Sequence, residues 1–402
     1  MSTNAEIHAE TERMAKAGNK TKQPSQAQPA LPRRELSMLL ALGFLWALFA
    51  LKEPAFLSAR NLSLLTIELS VTAILALGML LVLLPGQIDL AAGSGVGLFG
   101  AIAAVLVFSH GVSAPLALAL SLFLGVLVWA GVGWLIVRQR IVAFIVTLGG
   151  LLVFKGLHWL TIQNQTVPVA PGGESNLYSS LTTFYLPPWP SAGVALVLFA
   201  IFTGMVLRSR RRRQALGFQI LDGEVLFLGL FVAAQVLAVL VLVANKYRGI
   251  PLSVLILVAV AWGVWLLTSR TPFGRHLYAV GGNLDAARLS GVNVSRVVIV
   301  AYALMGGAVA LTGFLQTAYS GASTSTVGQL MELDAIAACV IGGTSLKGGR
   351  GNVMGVLFGA LIMASLLNGL TLMAVSPEVK FIARGLVLTL AVWFDGRMKA
   401  GR

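Results

Sequence analysis

Twelve apolar stretches divide this chain, each long enough, or nearly so, to cross about 30 Å of hydrocarbon. They run roughly 36–51, 64–84, 95–109, 115–137, 141–161, 192–207, 224–244, 251–268, 297–319, 334–345, 352–373 and 379–395. Of the 402 residues, 57% are hydrophobic and only 11% charged, whereas soluble domains carry about 25% charged residues. The expected class is an all-α polytopic membrane protein with about twelve transmembrane segments. Two stretches, 95–109 and 334–345, are short and flanked by glycine, which marks them as candidates for re-entrant or broken helices.

The formal charge of +14 suggests a nucleic-acid binder until the positions are read. Most Lys and Arg occupy short connections between apolar stretches, where they report topology. Counting alternate connections, 22 of the 29 basic residues fall on the side that holds the N-terminus. These include Arg138, Arg140, the run Arg208–Arg213, the segment 270–296, Lys347 and Arg350. The other side holds five: Lys52, Arg60, Lys246, Arg248 and Lys380. This asymmetry predicts an even number of crossings with both ends cytoplasmic. Residues 1–35 read as a disordered cytoplasmic tail, without the apolar core and cleavage site of a signal peptide. Residues 397–402 read as a second cytoplasmic tail. The single cysteine, Cys339, rules out an intrachain disulfide or a cysteine metal cluster.

Catalytic patterns are missing. No Gly-Lys dipeptide exists to form a phosphate-cradling P-loop, and neither His-Glu-x-x-His, Cys-x-x-Cys nor Gly-x-Ser-x-Gly occurs. The chain is expected to be no enzyme and to hold no cofactor or metal. Any energised work would then draw on another polypeptide or on an ion gradient.

Residues 270–296 form a long basic, Gly-rich polar segment between two apolar spans, with a helical pattern of its own. Asn283 suits an N-cap, Leu284–Leu289 follows, and Ser290-Gly291 stops it, Gly291 by admitting positive φ. The plain alternative is a solvated loop with an incidental helix. Within or at the ends of apolar spans lie Glu68, Asp89, Lys155, Gln316, Asp334, Asn368 and Arg384. Such groups are costly there and usually face a cavity or one another. Asp89 sits in a break with exposed backbone groups, Pro85–Gly95, and Gly342–Gly351 repeats its spacing Gly-x3-Leu-x2-Gly-x-Gly. Each break is followed by Leu-Phe-Gly-Ala, at 98–101 and 357–360, hinting at duplication. Close helix packing explains most of these glycines equally well. Residues 162–191 form an outer loop with five prolines. It suits docking a partner, plugging the outer mouth, or packing over helix ends.

The run Gly282-Asn283-Leu284-Asp285-Ala286-Ala287-Arg288-Leu289-Ser290-Gly291-Val292-Asn293, preceded by Thr271-Pro272-Phe273-Gly274-Arg275, resembles bacterial monosaccharide ABC permeases of the ribose/xylose/arabinose/galactose group. Gly86–Leu90 with Gly93-Ser94, and Leu333–Leu346, extend the resemblance, which covers about 36–396. An extra helical pair near 205–245 is similar to the D-xylose branch, over a ten-helix core. Where that family usually has Asp-Leu-Ser-Val-Gly-Ser, this chain has Asp89-Leu90-Ala91-Ala92-Gly93-Ser94. The resemblance implies the permease subunit of an ATP-driven monosaccharide importer in the bacterial inner membrane. Its implied partners are a second permease copy, a cytoplasmic ATPase with two nucleotide-binding domains carrying ATP-Mg, and a periplasmic sugar-binding protein. It also implies an ATPase-coupling helix at Gly282, Asn283, Ala286, Ala287, Arg288 and Gly291. Small Ala286 and Ala287 would seat in a groove of the ATPase, and Arg288 would pair with an acid there. Gln87, Asp89, Gln316 and Asn368 are candidates for the translocation pathway. The rival reading is an ion-coupled secondary sugar transporter, and a channel or scaffold subunit is a further one. The sequence leaves the sugar open.

Overall fold

The computed structural model describes residues 33–218 and 222–400, with side chains over 36–218 and 222–393. The expected N-terminal tail falls almost wholly outside the described residues. Only Arg33–Leu40 precede the unit Ala41–Arg402, and they are helical in backbone.

Fifteen α-helices account for nearly all the described structure. These are α1 (Arg33–Lys52), α2 (Ala59–Leu83), α3 (Ala92–Phe108), α4 (Ala114–Gln139), α5 (Ala143–Ile162), α6 (Leu177–Thr183), α7 (Pro188–Ala215), α8 (Gly223–Asn245), α9 (Leu252–Arg270), α10 (Pro272–Gly282), α11 (Leu284–Leu289), α12 (Val294–Ser320), α13 (Met331–Ile341), α14 (Val353–Leu372) and α15 (Pro377–Ala400). Their starts are legible in side-chain chemistry. Ser58, Asn293 and Asn352 each accept a backbone N–H three residues on, capping α2, α12 and α14.

Among the described residues, eight helices (α2, α4, α5, α7, α8, α9, α12 and α14) are long and apolar enough to cross a membrane; Leu36–Lys52 and Ala92–Phe108 are shorter apolar helices. The 334–345 stretch is not a full span. Helix α13 has 11 residues, about 16 Å at 1.5 Å per residue, roughly half of what the hydrocarbon requires. The chain still changes ends between Ser320 and Val353, through an irregular segment, Gly321–Leu330, followed by this half-helix.

Helices α2 and α12 are the most enclosed of the long spans. Between lipid-embedded helices association depends on close packing, so small residues sit at the crossings. On α12, a Cβ at Gly306 would strike the Gly125 carbonyl of α4, and one at Gly313 would strike the Val96 carbonyl of α3. Both Leu-Phe-Gly-Ala glycines, Gly100 and Gly359, lie against a neighbouring helix's backbone in the same way.

The extra pair is α7–α8, beginning at Pro188 rather than near 205. No residue of α8 is buried, which suits a helix facing lipid. The 162–191 loop is folded over the bundle. Its strand β1 (Val167–Pro168) pairs antiparallel with β4 (Ala322–Ser323), while β2 (Tyr185–Leu186) pairs with β3 (Ile250–Pro251). From α6, the buried Tyr178 Oη donates to the Gly100 carbonyl at 2.8 Å.

Candidate functional site

Helix α10 starts where Thr271 accepts the Gly274 N–H at 3.2 Å, with Pro272 in the first turn. Its Tyr278 Oη donates to the Gly351 carbonyl at 2.8 Å, which fixes α10 against the start of α14. A phenol is protonated at neutral pH, and burial raises the pKa of this one further from that range. At the end of α10 the chain meets both breaks. The Gly349 N–H donates to the Leu84 carbonyl at 2.9 Å. A Cβ on Gly281 would overlap that same carbonyl and the Gly349 nitrogen, and one on Gly348 would lie 2.8 Å from the Gly86 nitrogen. Gly86, Gly348 and Gly349 all take positive φ, at 81°, 88° and 73°. Only glycine lets three chain segments close on one point this way.

From this junction α11 projects. Asn283 caps it, its Oδ1 accepting the Ala286 N–H at 2.9 Å. Gly291 ends it at φ 81°, with Val292 N–H returning to the Ala287 carbonyl at 3.0 Å. The helix divides sharply by exposure. Leu289 is 91% exposed, whereas Ala287 is 4% exposed. Ala287 therefore packs inside its own chain and is not free to seat in a partner, contrary to the sequence expectation; Ala286 is exposed. Arg288 pairs with Asp285 of its own helix at 3.7 Å, both largely exposed. An exposed pair of this kind is worth about 0–1 kcal/mol, so Arg288 remains available to an outside acid.

Beside α11 opens a cavity of about 1160 Å³, reached by the start of α12, the α4–α5 turn and the first break. Arg138, Arg140, Arg288 and Lys347 line it together with Gly282, Asn283 and Gln87, and no Asp or Glu does. Arg288 has Asp285 beside it, but Arg138, Arg140 and Lys347 are in neither ion pair among the described residues, and this excess makes a positive potential that favours an anionic guest. The basic asymmetry of the sequence groups Arg138, Arg140, Arg288 and Lys347 on one side, but it does not bring these separate segments to one cavity wall. The doublets Gly281-Gly282 and Gly348-Gly349 were the one visible sign of a close junction.

The four pathway candidates do not converge. Gln87 is half-buried at the cavity wall. Asp89 is fully enclosed: its Oδ2 accepts from Trp129 Nε1 at 2.6 Å and its Oδ1 from the Ala91 N–H at 2.8 Å. It holds the break together and does not line an open path. The break's backbone is also satisfied, with Gly86 and Gln87 N–H groups bound to Leu83 and Val82 and the Ile88 carbonyl accepting from Thr147. Gln316 lies half-buried near the far end of α12, with Nε2 3.4 Å from Ser320 Oγ. Asn368 is buried on α14, where its Oδ1 accepts from Asn61 at 2.8 Å.

The family described as branched-chain amino acid transport system / permease component matches residues 61–392. The chain is 41% identical over 347 residues to the xylose transport system permease protein of Escherichia coli, covering 86% of this chain and 87% of that one. It is 39% identical over 364 residues to the xylose transport system permease protein of Haemophilus influenzae, covering 89% and 95%. With the ribose import permease protein of Escherichia coli it shares 32% identity over 363 residues, covering 90% and 94%. No solved structure matches.

Proposed function

The chain belongs to the branched-chain amino acid transport system / permease component family, and from that premise we propose that it is the membrane subunit of an ATP-driven D-xylose importer. The order of identity among the relatives, xylose permeases above a ribose permease, favours a pentose and D-xylose first. Two copies of this chain form the pathway, a separate ATPase binds and hydrolyses ATP-Mg, and a periplasmic binding protein delivers the sugar. Both termini and α10–α11 face the cytoplasm of a cell whose inner membrane carries the complex.

One observation supports the coupling role above others. A capped helix with a fully presented leucine, Leu289, stands at the rim of a cavity lined by four cations and no acid. The leucine would enter an apolar groove of the ATPase while acids around that groove meet Arg288, Arg138, Arg140 and Lys347. Closure of the ATPase then pushes α11, and the push reaches α2 and α14 through the glycine junction, because backbone packed on backbone has no slack. Access switches from one side to the other by population shift between two arrangements of the spans.

The test is uptake of labelled D-xylose by cells expressing the three-component system, with proton and sodium gradients collapsed and ATP maintained. An ATP-driven importer continues to accumulate sugar; an ion-coupled transporter stops.

A further inference from the structure

At the end of the bundle away from α11, helices α2, α12 and α14 bring a second polar cluster together. About 24 Å of helix separates Glu68 from Leu84, and about 38 Å separates Tyr319 from Val294. Tyr319 Oη donates to Glu68 Oε1 at 2.9 Å. The Asn368 side chain lies within interaction range of Glu68, and its Oδ1 accepts from Asn61 Nδ2, which in turn donates to the Phe56 carbonyl at 2.9 Å. Gln316 lies one turn before Tyr319 on α12 and is half-buried, as are Glu68 and Tyr319.

The partners of Glu68 are unusual for a carboxylate within an apolar span. The ion pairs among the described residues lie elsewhere, at Arg288–Asp285 and Arg384–Asp334. Lys380 acts on Glu68 only through its field, with its ammonium 3.1 Å from Thr371 Oγ1. A phenol donates to the carboxyl instead, with an amide beside it. For joining helices alone, a glutamine would serve with far less desolvation. A carboxylate accepts two hydroxyls at once, an amide both donates and accepts, and a phenol ring offers a face to C–H groups. Together they are a donor and acceptor set for vicinal hydroxyls.

We propose that Glu68, Tyr319 and Asn368 form a subsite that binds hydroxyls of the transported sugar in the half of the membrane away from α11, an inference that rests on the sugar-importer reading above. The subsite spans three helices of the bundle. Movement of α12 against α2 therefore opens the Glu68–Tyr319 contact, and the sugar hydroxyls replace it transiently. Weak exchange of this sort suits a pathway, since tight binding would slow release.

The experiment uses the complete transporter with Glu68→Gln, Tyr319→Phe and Asn368→Ser, and Tyr178→Phe as a packing control. Uptake of D-xylose and of its 2-, 3- and 4-deoxy analogues is measured per permease, beside thermal midpoint and ATPase association. The binding protein is common to all, so a changed ratio between sugars reports this chain. We expect Glu68→Gln to cut D-xylose uptake about tenfold and to narrow the preference over at least one deoxy analogue. Its thermal midpoint and ATPase association should stay at wild-type values. Wild-type uptake and ratios in all three variants would overturn the subsite. So would losses that fall equally on every sugar and track a lowered thermal midpoint, because these report helix packing alone. Failure of the wild type to import any pentose would instead overturn the importer reading itself.

Discussion

The Gly349 N–H donates to the Leu84 carbonyl at 2.9 Å, so the break that follows α2 and the break that follows α13 form one junction. Gly281, at the end of α10, is packed into the same point. A displacement of α11 therefore acts on two broken crossings at once.

Gly281→Ala should disturb this junction, because the new methyl overlaps the Leu84 carbonyl. Overpacking against fixed backbone costs about 1–3 kcal/mol, read as a lowered thermal midpoint of the purified protein. Gly282→Ala is the control, with nothing within 4 Å of its Cβ. Its stability should stay within about 0.5 kcal/mol of wild type. Equal effects at the two positions would contradict the junction.

Ala286 and Ala287 should separate just as sharply. Ala287→Glu forces a carboxylate into a site 4% exposed and should lower membrane abundance through misfolding, at a cost of several kcal/mol. Ala286→Glu places the same charge on an exposed position and should leave abundance unchanged. Quantifying both variants in membranes, at matched transcript levels, checks this.

Asp89→Asn keeps the side chain's shape but puts an amide where Trp129 Nε1 and the Ala91 N–H both require an acceptor. One of the two donors is left facing a donor, which costs about 1–3 kcal/mol. Trp129→Phe should destabilise by a similar amount. The double variant should cost less than the sum, since both changes remove one shared contact. Strict additivity in thermal or denaturant unfolding would contradict the pairing.

These contrasts also mark where reading the sequence stops. The crossings are legible because a run of some twenty apolar residues has one stable fate in lipid. Asn283 and Gly291 are legible because capping and positive φ are local demands, met by the residue's own chemistry. The inward face of Ala287 is not legible: α11 has six residues, under two turns, too few for a periodicity to emerge. Asp89 stood out as costly, but it lies in a break and its partner Trp129 is forty residues away on α4, and no spacing rule joins them. The charge asymmetry groups Arg138, Arg288 and Lys347 on one side, but the cavity they share is set only by the fold. The shortness of α13 was legible, because 334–345 is a short apolar stretch bounded by glycine, and Gly343 turns the chain there at φ 94°.

Leu289 gives the most direct test of the central claim, that α11 is the contact through which an ATPase drives this chain. At 91% exposure, Leu289→Asp cannot unfold the spans by lost packing. The measurement is ATP-driven D-xylose uptake per permease, with co-purification of the ATPase from the same membranes. The account predicts a loss of uptake of about tenfold or more, as for truncation of an interface anchor, with abundance and thermal midpoint unchanged. Uptake and ATPase recovery at wild-type levels would contradict it and return α11 to a solvated turn between two spans.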